Sequence, residues 1–213
     1  MKIGKLVCKK PIALLVIVAL AIAVIMVRPG SASASFSSSA SASYQTTWWN
    51  GDNPEFVAFD DDCANYVSQT LFAGGENETS AWYNHIGDME VTPDWDNAQD
   101  LFYYVWEDSG WGNYSDILFA YWWGGTAPAT NGTVNGDPYF YNWSAETNGE
   151  GYGGIDHSTV QHSIGTDGGG YYGDLISSHT NDRANLFWTE KDASNPANSY
   201  WETEEVFGET ITN

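Results

Sequence analysis

The sequence predicts an α+β domain, with helices early in the folded region and an antiparallel sheet after them. Three observations carry this. Residues 62–73 repeat apolar and small side chains at a helical period. Residues 138–188 break into short aromatic and β-branched runs. "TDGGG", between two of those runs, is a hairpin signal.

The chain starts with a different kind of sequence. "MKIGKLVCKK" is basic, "PIALLVIVALAIAVIMV" is continuously apolar, and Ala32-Ser33-Ala34 supplies small residues at a cleavage position. Residues 1–34 therefore read as a secretory signal peptide. The other reading is an uncleaved N-terminal anchor, because the apolar run is close to the short limit for a span. Cys8 precedes the apolar run, so it is not placed as a lipoprotein acylation site. Residues 35–43, "SFSSSASAS", read as a flexible tether. The domain is then 44–213, with its core in 44–190.

Charge and cysteine content narrow the function. Of the seven basic residues, only Arg183 and Lys191 lie beyond the leader, against 28 acids. A phosphate backbone needs a basic face, so nucleic acid is excluded as a partner. The acids are spread along the chain, which fits a secreted protein kept soluble by charge or adapted to salt. Removing the leader leaves one cysteine, Cys63, and hence no internal disulfide. Cys63 is a packing residue, an intermolecular bridge or a reactive thiol.

Residues 44–59 are aromatic, with turn chemistry at Asn50-Gly51 and Asn53-Pro54. In 62–73, Cys63, Tyr66, Val67, Thr70 and Leu71 form one helical stripe. Asp60 to Asp62 supply an N-cap and Gly74-Gly75 a stop. Residues 76–94 read as a loop. A second helix is expected over 96–107, with Ala98, Leu101, Phe102, Val105 and Trp106 on one side. "DILFAYWW" fits helix or strand. Strands are expected at 138–143, 157–164, 170–177 and 184–188. If the hairpin turn centres on Gly168, His157 and His179 lie directly opposite each other, with Cβ atoms about 5 Å apart. His162 then points to the other face.

A cysteine in the first turn of a helix and a histidine on a nearby strand are the parts of a thiol hydrolase. Unpaired N–H groups and the helix dipole favour a thiolate and can bind an oxyanion. His157 can take the thiol proton and return it to a leaving amine. A third polar group must orient the imidazole, with His179 or Asn181 as the candidates. No second cysteine remains for a thiolate metal site, and no cofactor is expected. The tryptophans read as core and groove wall. The N-x-S/T triplets at Asn77, Asn113, Asn131 and Asn142 matter only in a host that glycosylates.

"NPEF" followed by "DCANYVSQTLFAGG" resembles the signature of the putative amidase domain family, a distant relative of papain-like, NlpC/P60 and CHAP hydrolases. "GDPYFYNW", "DHSTVQHS" and "SSHTNDRANLFW" resemble its later landmarks, in family order, so the likeness covers roughly 44–190. The resemblance implies a papain-like α+β fold, N-terminal helices on a C-terminal antiparallel sheet, and amide hydrolysis. It carries the nucleophile to Cys63, the base to His157 and the third member to His179. Asp62 and Asn65 fall in the same motif as helix-start residues. Gln69 and Arg183 also match. Ala64, Tyr66 and Pro138 depart from the pattern. The expected partner is a peptide or peptidoglycan substrate, with the membrane met only through an uncleaved leader. The alternatives are a non-catalytic wall- or glycan-binding module on a degenerate hydrolase fold, or an acidic secreted effector.

Overall fold

In the computed structural model, the residues described are 35–111, 117–121, 130, 132–142, 154–190 and 205–211. The expected leader, Cys8 and the triplets at Asn113 and Asn131 lie outside them. Asn77 is exposed and Asn142 is buried.

The segment expected as a tether is folded. Helix α1 spans Ser38–Trp48, and the Ser37 side chain accepts a bond from the Ala40 N–H at its start. Its fully buried positions are polar, Ser41 and Gln45, while Tyr44 and Trp48 pack half-buried against the core. Gln45 donates to the Gln161 carbonyl (3.2 Å) and accepts from the Ser177 hydroxyl (2.8 Å). A helix buried through hydrogen bonds carries no apolar stripe, which is why the sequence reads as spacer.

Helix α2, Cys63–Gly74, stands where it is expected. Its first helical bond runs from Tyr66 N–H to the Asp62 carbonyl (2.9 Å). Gly75 ends it at φ 114°, with Gly75 N–H on Phe72 O and Glu76 N–H on Leu71 O. That bond pair needs a left-handed residue, which glycine adopts without strain. The predicted stripe is buried, but so are Ala64, Asn65, Ser68 and Gln69. The polar members are satisfied. Asn65 donates to Val57 O and to Asp62, and its own oxygen accepts from Trp95 Nε1 and Asn84.

The 76–94 loop contains a two-residue ladder, β1 (Asn84–His85) with β2 (Glu90–Val91). The expected 96–107 helix is divided. Short α3 (Pro93–Asp96) stops at Asn97, whose side chain then caps α4 (Ala98–Tyr103) by accepting from Gln99 and Asp100 N–H. A π-helical turn, Tyr104–Asp108, follows. The predicted apolar side holds: Ala98, Leu101, Phe102 and Val105 are buried and Trp106 packs against them.

The sheet has six antiparallel strands in the order β3-β8-β4-β5-β6-β7. They are β3 (Ile117–Tyr121), β4 (Pro138–Asn142), β5 (His157–Thr166), β6 (Tyr172–Ser178), β7 (Arg183–Phe187) and β8 (Glu205–Glu209). Within "DILFAYWW", residues 117–121 are strand, and the rest of that stretch lies outside the described residues. Alternation along the strands builds two cores. Phe140, Val160 and Phe207 join the helices, while Tyr139, Tyr141, Ile176 and Trp188 pack together in a second cluster. The architecture is α+β.

The hairpin register differs from the expected one. Thr166 pairs with Tyr172 around a turn fixed by Asp167, whose carboxylate accepts from Gly169 and Tyr171 N–H. A bulge between Gln161 and Ser163 then shifts the ladder, so that Val160 pairs with Ser177. The turn is centred on Gly169 rather than Gly168 and the bulge moves the ladder back by only one residue, so His157 is not opposite His179. An extra residue in one strand moves every later pair, and nothing in "VQHSI" announces it.

Phe36 is wedged where two glycines leave room. A Cβ on Gly74 would come within 2.1 Å of its ring, and one on Gly136 within 2.7 Å. Gly74→Ala should destabilise the domain by about 1–3 kcal/mol in urea titration, despite alanine's helix preference. Gly51→Ala, whose new Cβ meets nothing within 4 Å, should be near neutral. Adding Phe36→Ala should make Gly74→Ala harmless; full additivity of the two losses would contradict the wedge.

Candidate active site

Cys63 opens α2, and its thiol is buried and free of any disulfide. The N–H groups of Cys63, Ala64 and Asn65 precede the first helical bond and sit at the positive end of the helix dipole. Asp62 stands at the N-cap position but makes no capping bond. This corrects the expected role of the aspartates. The Asp62 carboxylate is committed elsewhere. One oxygen accepts from Phe59 N–H (3.1 Å) and Asn65 Nδ2 (2.7 Å), and the other meets His179 Nδ1 at 2.7 Å.

His157 begins β5 opposite Tyr141, with ring centroids 5.8 Å apart. Its imidazole lies close enough to the Cys63 thiol for the two to interact electrostatically. Its Nε2 lies 3.0 Å from Glu190 Oε1, an ion-pair contact without hydrogen-bond alignment at that oxygen. Glu190 follows β7 in a left-handed conformation, φ 54°, with its N–H on Phe187 O (2.8 Å). The Tyr141 hydroxyl donates to Trp188 O (2.7 Å), which pins that turn to the sheet.

The electrostatics follow from burial and pairing. Burial pushes the His157 imidazolium down, but Glu190 and Cys63 outweigh it and its pKa is pushed up to about 10. Burial pushes the Glu190 carboxyl up, and the charges of His157 and Arg183 reverse that to a net lowering. The arrangement therefore holds an imidazolium beside the Cys63 thiol.

The structure places His157 beside Cys63, as the sequence led one to expect, but puts another residue where the third group was sought. Both His179 nitrogens are taken, Nδ1 by Asp62 and Nε2 by the Trp48 carbonyl (2.7 Å). None is left to orient His157. Asn181 is exposed and lines a cavity of about 340 Å³ with Asp52, Asp60, Asp62, His179 and Asp182. Glu190 fills the place assigned to them. Its only sequence signal is an acid just past an aromatic strand, and the left-handed turn that aims it is invisible in "FWTEK".

Asp52, Asp62 and His179 bring three potential ligand atoms within 4.8 Å of one another. The His179–Asp62 bond already spends a nitrogen and an oxygen on each other.

The family is definite: the model described as the putative amidase domain matches residues 35–203, and the chain belongs to that family. Membership supports a general amidase, hence hydrolase, role. No curated protein and no solved structure matches the chain significantly.

The His157–Glu190 pair makes a signed prediction for stability. Glu190 is lowered, so the pair's contribution is lost as pH falls through the carboxylate range. His157 is raised from 6.5 to about 10, so the contribution is full below 6.5 and fades as pH approaches 10. Urea midpoints of the parent and Glu190→Gln should differ most near pH 6 and converge by pH 10. A difference that grows from pH 6 to pH 10 would contradict the pairing.

Proposed function

We propose that this chain is an exported cysteine amidase or peptidase that cleaves an amide bond in a peptide, with cell-wall peptide as the substrate class. The observation that carries the reading is the Cys63–His157–Glu190 line at a helix N-terminus, within an amidase-family domain. The leader-like residues 1–34 and the excess of acids support export.

The chemistry follows from the geometry. The Cys63 thiolate attacks the amide carbonyl carbon, and the carbonyl electron pair moves to oxygen. N–H groups at the start of α2 accept that charge. The tetrahedral intermediate collapses, the C–N bond breaks, and the His157 imidazolium gives its proton to the departing amine. The resulting thioester is attacked by water, from which neutral His157 takes a proton. Collapse releases the acid, and the thiolate–imidazolium pair is restored. Glu190 holds the ring and stabilises its cationic form, acting through His157 rather than on substrate.

A glycan-binding role draws less support. Among the described residues, Trp82, Trp95, Trp111 and Trp188 are buried in the two cores and offer no stacking surface, while Trp48, Trp49 and Trp106 are half-buried.

The test is incubation of the chain lacking 1–34 with peptidoglycan fragments and a peptide library, beside Cys63→Ala. The variant should lose at least about a thousandfold in rate. Equal hydrolysis by both proteins would refute the proposal. Iodoacetamide should label Cys63 rapidly in the folded parent at neutral pH, and His157→Ala should label at least about tenfold more slowly. Labelling that requires denaturation would favour an inert, packing cysteine.

A further inference from the structure

His179 lies outside the Cys63–His157–Glu190 line, yet it is buried and bonded through both ring nitrogens. Its two partners are the Asp62 carboxylate and the Trp48 carbonyl, and both are acceptors. A neutral imidazole has one N–H and can satisfy only one of them. The ring must therefore carry two N–H groups and a positive charge.

The partners sit at informative places. Trp48 is the last residue of α1, so its carbonyl is at the negative end of that helix. Asp62 is the residue before Cys63, and its backbone carbonyl begins the hydrogen bonding of α2. The Asp62 N–H is held by Thr180 Oγ1 (2.7 Å), one residue after His179. Thr180 is itself left-handed, at φ 70°. The His179 ring also stacks on Tyr66 of α2, with centroids 4.1 Å apart. Residues 179–180 thus grip the α2 N-terminus from its side chain, its backbone and its first turn.

We propose that His179 is a positioning residue: a cationic clamp between the end of α1 and the start of α2 that fixes the Cys63 backbone against His157. The proposal rests on the reading of Cys63 as a nucleophile. A displacement of one ångström at the sulfur is enough to lose most of the benefit of alignment. The clamp also has an alkaline limit. Losing one proton forces the ring to release either Asp62 or the Trp48 carbonyl. The groups that face it are Asp62 and Tyr66 from α2, the Trp48 carbonyl from α1, and Asp52 and Asp182 from the adjoining loops. Burial disfavours the cation, and the Asp62 carboxylate with the Trp48 carbonyl outweighs it, so its pKa is raised. Grip is complete below the ordinary histidine range, near 6.5, and fails as pH climbs through the raised value.

The experiment measures iodoacetamide labelling of Cys63 in the folded parent, His179→Ala and His179→Gln. His179→Ala should label at least about tenfold more slowly at pH 7 while circular dichroism remains native. His179→Gln, whose amide has two N–H donors for the same two acceptors, should recover part of the rate. A folded His179→Ala protein that labels at the parent rate overturns the clamp. If that variant does not fold, ¹⁵N NMR of the parent decides: His179 doubly protonated at pH 7 supports the clamp, and a singly protonated ring overturns it. A folded parent that fails to label at all sinks the nucleophile reading instead, and leaves the His179 spectrum as a separate result.

Discussion

The structure depends on keeping the first turn of α2 in one place. This helix is buried on nearly every side, and its polar residues are tied to Val57, Asn84, Trp95 and Ser177. A helix held so completely cannot slide or rotate without orphaning several buried hydrogen bonds. Its N-terminus is therefore a fixed edge. A buried histidine approaches that edge from each of two sides, one at the start of β5 and one just past β6.

Each histidine brings a carboxylate of its own. His157 has Glu190 and His179 has Asp62. Buried ion pairs rarely add net stability, because desolvation offsets the attraction. Their value here is in sorting charge. Three aspartates run directly into Cys63, and their charge opposes a thiolate. The Asp62 carboxylate is neutralised by an imidazolium and turned into the Phe59–Asn65 network. The charge that faces the sulfur instead comes from His157. Asp62, the acid next to the thiol, is thus admitted there because it is already paired with His179.

Much of this was legible in the sequence. The stripe from Cys63 to Leu71 and the glycines after it located α2, because a 3.6-residue period and a left-handed stop are local signals. The aromatic runs located β4, β5, β6 and β7. The cysteine and the first histidine were recognisable as a pair. What failed was non-local. The fully buried residues of α1 are Gln45 and Ser41, with only Tyr44 and Trp48 packed against the core, so it lacks the continuous apolar stripe that marks a docked helix. β8 is a five-residue strand whose place between β3 and β4 comes from partners far away in the chain. A hairpin turn centred one residue later than expected, only partly offset by the bulge at His162, removed the register that had paired the histidines, and a left-handed turn delivered Glu190. Single-residue backbone irregularities decided the third member of the site, and they leave no periodic trace.

The most direct measurement is the protonation of the His157 ring, read by ¹⁵N NMR of imidazole-labelled protein from pH 6 to pH 11. The account predicts a ring that stays doubly protonated through pH 8 and titrates near 10, with Cys63→Ala lowering that midpoint. A His157 that titrates at its ordinary value near 6.5, unmoved by removing the thiol, would contradict it.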